Sequence, residues 1–155
     1  MTTTGEPQLI TTEAAVTAVV RGVVPAPELP AFYDRAFGVL PRTVAAQGVT
    51  VVGPAFGLYH GLPGEQFDLE AGFPTDRAVQ AEGEVLAGEL PGGRVARSVH
   101  AGSFDGLGAA WQRLGEWITA QGLTPGGTFW EVYLTEPTPD MDPADLRTEL
   151  NWPVG

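Results

Sequence analysis

Glu131 lies in the run Phe129-Trp130-Glu131-Val132-Tyr133-Leu134-Thr135, a single carboxyl group among large aromatic rings. In a strand, alternate side chains share a face, so Phe129, Glu131, Tyr133 and Thr135 look one way and Trp130, Val132 and Leu134 the other. The second set is uniformly apolar and reads as core. The first places an acid between two rings, which is odd for a core face and equally odd for a plain solvated face. A pocket wall for a cationic or flat aromatic ligand fits that combination. The carboxylate supplies charge, and each ring adds a cation–π contact of about 0.5–2 kcal/mol. Burial against the rings raises the carboxyl pKa, whereas a bound cation lowers it.

Other chemistries find little support. Cysteine is absent, which removes thiolate catalysis, Cys-based zinc sites and disulfides. His60 and His100 are far apart in sequence, and neither has the neighbouring His or carboxylate spacing of a metal site, so no metal and no cofactor are expected. His100 ends a strand just before a helix, where a neutral, hydrogen-bonded ring is the ordinary explanation. Gly102-Ser103-Phe104-Asp105-Gly106 reads as a loop and helix cap, and nucleotide-binding or Gly-x-Ser-x-Gly signatures are missing. The 19 acidic residues outnumber 8 arginines, for a formal net charge of -11, and the arginines form no cluster. Such a field repels phosphate backbones, so nucleic acid is not an expected direct partner; a protein partner remains open. No apolar run approaches the roughly 18 residues of a membrane span and no signal peptide opens the chain, which makes a cytoplasmic location the expectation.

At 155 residues, with 43% hydrophobic and 17% charged residues, the chain has the size and composition of one folded domain. Twenty-one glycines and 14 prolines cut it into short elements. Strands are expected at 14–21, 49–60 and 67–73, with a bulge or edge at Pro54. A short helix at 31–40 carries Phe32, Phe37 and Leu40 and is expected to stop at Pro41. Strands at 82–90 and 94–101 flank Leu90-Pro91-Gly92-Gly93, which has the composition of a hairpin turn. Phe104, Leu107, Trp111, Leu114 and Ile118 recur at steps of three and four, giving a helix from Ser103 to about Gln121 with Gly122 as its stop. Trp111 falls mid-stripe and reads as core. Strands at 128–135 and 147–152 follow, separated by the acidic, proline-rich 136–143 and one helical turn near Pro143.

Each half then reads strand, helix, strand, strand, as pseudo-repeats of about 12–78 and 82–155. Leu69-Glu70-Ala71-Gly72-Phe73-Pro74 echoes Thr148-Glu149-Leu150-Asn151-Trp152-Pro153, and Leu58-Tyr59-His60-Gly61-Leu62-Pro63 echoes Val132-Tyr133-Leu134-Thr135-Glu136-Pro137. The echo puts Tyr59 and Tyr133 in related places beside a central groove. Phe73 and Trp152 share parity with apolar neighbours, so Glu70 and Glu149 point to the opposite face, where Glu149 either deepens a negative cleft or meets solvent.

Five runs in order, Leu90-Pro91-Gly92-Gly93-Arg94-Val95-Ala96, His100-Ala101-Gly102-Ser103-Phe104, Trp117-Ile118, residues 130–137 and residues 146–154, resemble the GyrI-like small-molecule-binding family, which includes the effector-binding domains of multidrug-responsive transcription regulators. The resemblance implies an α+β fold of two tandem strand-helix-strand-strand modules, with antiparallel sheets, helices on one face and a ligand cleft on the other. It implies that Glu131 forms the floor of that cleft; strand parity and the internal echo add Tyr133, Tyr59, Phe129 and Glu149 as candidate ligand contacts. The expected function is a stand-alone binder of hydrophobic, cationic or polyaromatic compounds. The family also contains hydrolases that open cyclopropane rings of genotoxic natural products, in which Glu131 and Tyr133 would be the catalytic pair, and protein-binding gyrase inhibitors.

Overall fold

The structure, a computed structural model, describes residues 6–61, 66–103, 106–135 and 142–154. Eight strands form one antiparallel sheet: β1 (Gln8–Thr12), β2 (Ala15–Pro25), β3 (Phe56–His60), β4 (Gln66–Pro74), β5 (Val85–Leu90), β6 (Gly93–Ala101), β7 (Thr128–Tyr133) and β8 (Arg147–Pro153). Their order across the sheet is β1-β6-β8-β7-β3-β4-β2-β5. Two helices, α1 (Leu29–Ala46) and α2 (Leu107–Ala120), follow β2 and β6. Within each half the first strand pairs with the third and the third with the second: β2-β4-β3, then β6-β8-β7.

The helices cover one sheet face. Phe32, Ala36, Leu40 and Val44 of α1 and Ala110, Leu114 and Ile118 of α2 pack on Ala18, Val20, Leu69, Ala71, Ala96, Leu150 and Trp152. The alanines on β2, β4 and β6 leave no bulk between sheet and helix, so the larger helix residues fill the layer in close packing. A smaller apolar cluster, Val19, Phe56, Leu58, Val95 and Trp130, lies on the opposite face. The apolar set Trp130, Val132 and Leu134 belongs to this lesser face, and Leu134 is 45% exposed rather than core.

Several elements depart from the sequence expectation. Pro41 lies inside α1 instead of ending it. The missing amide costs that helix a hydrogen bond, but Leu40, Thr43 and Val44 are buried on both sides of the proline and hold the last turns to the core. Residues 49–55 form no strand beyond an isolated bridge between Val51 and Thr75, so the strand after α1 begins only at Phe56, past Pro54. β1 is an additional strand that the sequence reading missed.

The turn at 90–93 does not make a hairpin. β5 pairs with β2, while β6 pairs with β1 and β8. The chain instead crosses between the two ends of the curled sheet twice, at 12–15 and at 90–93, and the crossings touch: Thr12 Oγ1 donates to Pro91 O at 3.3 Å. A Cβ on Gly92 would stand 2.7 Å from the amide nitrogen of Ala14, so glycine permits the crossing. α2 starts from Gly106 as its cap, and Gly122, at φ +77°, follows its end as expected. Phe104 and most of the 136–143 connection lie outside the described residues; a 3-10 turn at Pro143–Asp145 leads into β8.

Candidate functional site

β7 carries Glu131 into the middle of the sheet, flanked by β3 and β8. Glu131 pairs across the strands with Gly57 on one side and Leu150 on the other. Its side chain points toward the helices, which corrects the expected placement of the acid on the uncovered face. The reason is parity: Phe129, Tyr59, Leu150 and Trp152 share that face and all belong to the main core.

Glu131 is 5% exposed. Tyr59 Oη donates to its Oε1 at 3.0 Å, and Tyr133 Oη donates to the same oxygen at 3.0 Å. Trp111 reaches down from α2 to Oε2, with Nε1 at 3.4 Å. Tyr33, from α1, closes the group by meeting Tyr59 Oη at 2.7 Å and Tyr133 Oη at 3.1 Å. Phe129 stacks on Tyr59 at 5.5 Å between centroids and touches Trp111 at 4.7 Å, and Trp111 and Phe129 both contact Trp152. Both helices therefore contribute a polar-tipped ring to the network, Trp111 to the acid itself and Tyr33 to its two phenol donors.

Glycine at position 57 makes the cage possible. A Cβ there would stand 2.3 Å from Tyr33 Oη and 3.0 Å from Tyr133 Oη, inside the space the two hydroxyls use.

Removal from water raises the Glu131 carboxyl pKa above its ordinary value, and the hydrogen bonds from Tyr59, Tyr133 and Trp111, with the nearby His100, pull it partway back. Burial, and then the negative charge of Glu131, hold all three tyrosines well above the ordinary phenol range. Protons limit the network. Four oxygen contacts close a ring through Glu131, Tyr59, Tyr33 and Tyr133, and the phenols supply one proton each. With Tyr59 and Tyr133 both donating to Glu131, Tyr33 has one proton for its two hydroxyl contacts.

The structure thus brings Glu131, Tyr133, Tyr59 and Phe129 together. Glu149 lies elsewhere: it pairs with Val132, one residue out of phase with Glu131, and on the opposite face its Oε1 meets Arg97 Nε at 3.3 Å and Asn151 Nδ2 at 3.1 Å. Sequence reasoning missed Tyr33 and assigned Trp111 to packing alone. The available signal was a ring with a polar tip on an otherwise apolar helix stripe, since such a tip needs a partner when buried. His100 is buried, with Nε2 donating to Ser103 O at 2.9 Å. Among the described residues no group of three or more His, Asp or Glu side chains is placed to hold a metal ion, and no helix is long and apolar enough to cross a membrane.

A curled antiparallel sheet with two helices closing over a buried, ring-enclosed acid defines an α+β ligand-binding domain. Residues 5–154 match the GyrI-like small molecule binding domain, and the chain belongs to that family. No curated protein sequence matches it. Among solved structures it resembles the EcmrR C-terminal domain, with a TM-score of 0.86 at 20% identity over 97% of this chain and 98% of that one. It also fits EcmrR in its complex with DNA, at 0.84 and 21% over 99% of this chain, which spans 58% of the EcmrR chain there. SAV2435 bound to tetraphenylphosphonium matches at 0.70 and 14% over 97% and 94% of the two chains. A hydrolase from Listeria innocua matches at 0.67 and 14% over 97% and 92%. At these identities the likeness is one of fold.

Proposed function

We propose that this domain binds hydrophobic small molecules, cationic or polyaromatic, with Glu131 as counter-ion and Tyr59, Tyr133 and Phe129 as the walls against which the ligand stacks. Tyr33 and Trp111, one from each helix, swing aside to admit it. The observation that carries this reading is a nearly inaccessible carboxyl group whose hydrogen-bond partners are two phenols and an indole, none with a fixed positive charge. Ionising an acid there costs several kcal/mol unless a cation compensates it. A lipophilic cation compensates the charge without exposing the site to water, and rings on every side add cation–π attraction. The tetraphenylphosphonium held by SAV2435 has that chemistry, which supports the class of ligand. Tryptophan fluorescence titration with a cationic rhodamine tests the reading: saturable quenching is expected, and its absence would sink it.

A second reading, a cyclopropanoid hydrolase, draws on the hydrolase among the structural neighbours and on a buried carboxyl group suited to accept a proton. Glu131 would then activate water for ring opening, and Tyr133 would hydrogen-bond the ligand oxygen that becomes a phenol. Incubation with a duocarmycin-type compound and mass detection of a water adduct separates the two, because a binder returns the compound unchanged.

A further inference from the structure

A groove of about 580 Å³ opens on the sheet face away from Glu131. Its volume lies within the usual range of small-molecule sites, about 300–1,000 Å³. Val19 of β2, Leu58 of β3 and Glu70 of β4 line it, alternating with Val20, Tyr59 and Leu69, which face the helices. The edge strand β5 contributes Leu86 and Gly88, and Thr128 of β7 lines the groove as well.

His60 and Glu70 form a hydrogen-bonded pair in this groove. His60 Nε2 is hydrogen-bonded to Glu70 Oε2, with the His60 and Glu70 side chains 29% and 13% exposed. Arg21 is the guanidinium in the lining, and Asp68 already holds it through contacts of 3.4 and 3.2 Å. Glu70 Oε1 lies over Gly88, where an added Cβ would stand 3.1 Å from it. Glycine at 88 lets that oxygen, the one His60 does not use, pack close to β5, since the same Cβ would also stand 2.7 Å from Thr17 Oγ1 and 3.2 Å from Val19 Cγ2.

We propose that this groove is a second ligand site, selective for a primary ammonium group on a compact apolar body. Anions are disfavoured because Glu70 and Glu89 line the groove and its one arginine is already paired. The apolar body packs on Val19, Leu58 and Leu86, while the ammonium donates to Glu70 Oε1. The selectivity differs from that proposed for Glu131. There the oxygens already accept from two phenols and an indole, so a charge without N–H groups suffices; here His60 engages Oε2, and among the described residues no hydrogen bond is made to Oε1. Charge-assisted hydrogen bonds are about twice as strong as neutral ones, so donor count decides affinity at Glu70.

Titration with 2-phenylethylamine, read on the imidazole NMR resonances of the two histidines, tests the inference without reference to the Glu131 ligand. A saturable shift of His60 is expected while His100 stays in place. The alcohol 2-phenylethanol, and the trimethylated amine of equal charge but without N–H groups, should bind at least about tenfold more weakly. Glu70→Gln should weaken the amine by a similar factor, and excess tetraphenylphosphonium should fail to displace it. An unmoved His60, equal affinity for the trimethylated compound, or displacement by tetraphenylphosphonium would each overturn the proposal. The comparison of the three compounds uses the unaltered protein, so it decides the matter even if Glu70→Gln does not fold.

Discussion

Gly57 and Glu131 are direct partners across β3 and β7, and the side chain missing from one makes room for the cage over the other. Tyr33 and Tyr133 place their hydroxyls where a Cβ on residue 57 would otherwise stand. This relationship ties α1 to the acid. Gly57→Ala should force Tyr33 off Tyr59 and Tyr133 and cost about 1–3 kcal/mol of stability, as overpacking commonly does. Urea unfolding measures the loss, and a shift of the midpoint within error of zero would show that the cage does not depend on the glycine.

The raised Glu131 pKa fixes the sign of a pH effect. The folded state holds this proton more tightly than the unfolded chain does, so the group's stabilising contribution is complete below the unfolded carboxyl value of 4.5 and is lost as pH rises through the higher folded value. Glu131→Gln removes that dependence. The variant should therefore gain on the parent protein between acidic and neutral pH, with thermal midpoints measured side by side. A difference that stayed constant over that range would mean Glu131 titrates alike folded and unfolded.

Tyr59→Phe removes one of the two phenol donors to Oε1 while keeping the ring stacked on Phe129. Hydrogen bonds to charged groups contribute about 1.5–3 kcal/mol, so the ionised acid loses more than the protonated one. The Glu131 pKa should rise further, and the pH at which ligand affinity falls should move upward with it. Carboxyl carbon NMR follows the titration directly; an unchanged midpoint would remove Tyr59 from the role of carboxylate donor.

Much of the site was legible in the sequence because it lies on one strand. Period-two alternation puts Phe129, Glu131 and Tyr133 on a common face whatever the strand pairs with, and the echo between halves brought in Tyr59. The direction of that face was not legible. Both faces of β7 are largely buried, Trp130 on one and Phe129 on the other, so hydrophobicity gave no side to the helices. Tyr33 joins the network through the hydroxyls of Tyr59 and Tyr133, contacts to distant strands that no local spacing encodes. The turn at 90–93 failed for a related reason: Pro-Gly-Gly composition specifies a local bend, while strand partners are set by burial across the whole sheet. Pro41 followed the same logic in reverse, since tertiary packing of Leu40 and Val44 overrode a local helix breaker.

The affinity of tetraphenylphosphonium for the parent protein and for Glu131→Gln, measured by calorimetry at neutral pH, tests the counter-ion role most directly. The expected result is saturable binding to the parent and a loss of at least about tenfold in the variant, equivalent to about 1.4 kcal/mol. Equal affinity in the two proteins would contradict it.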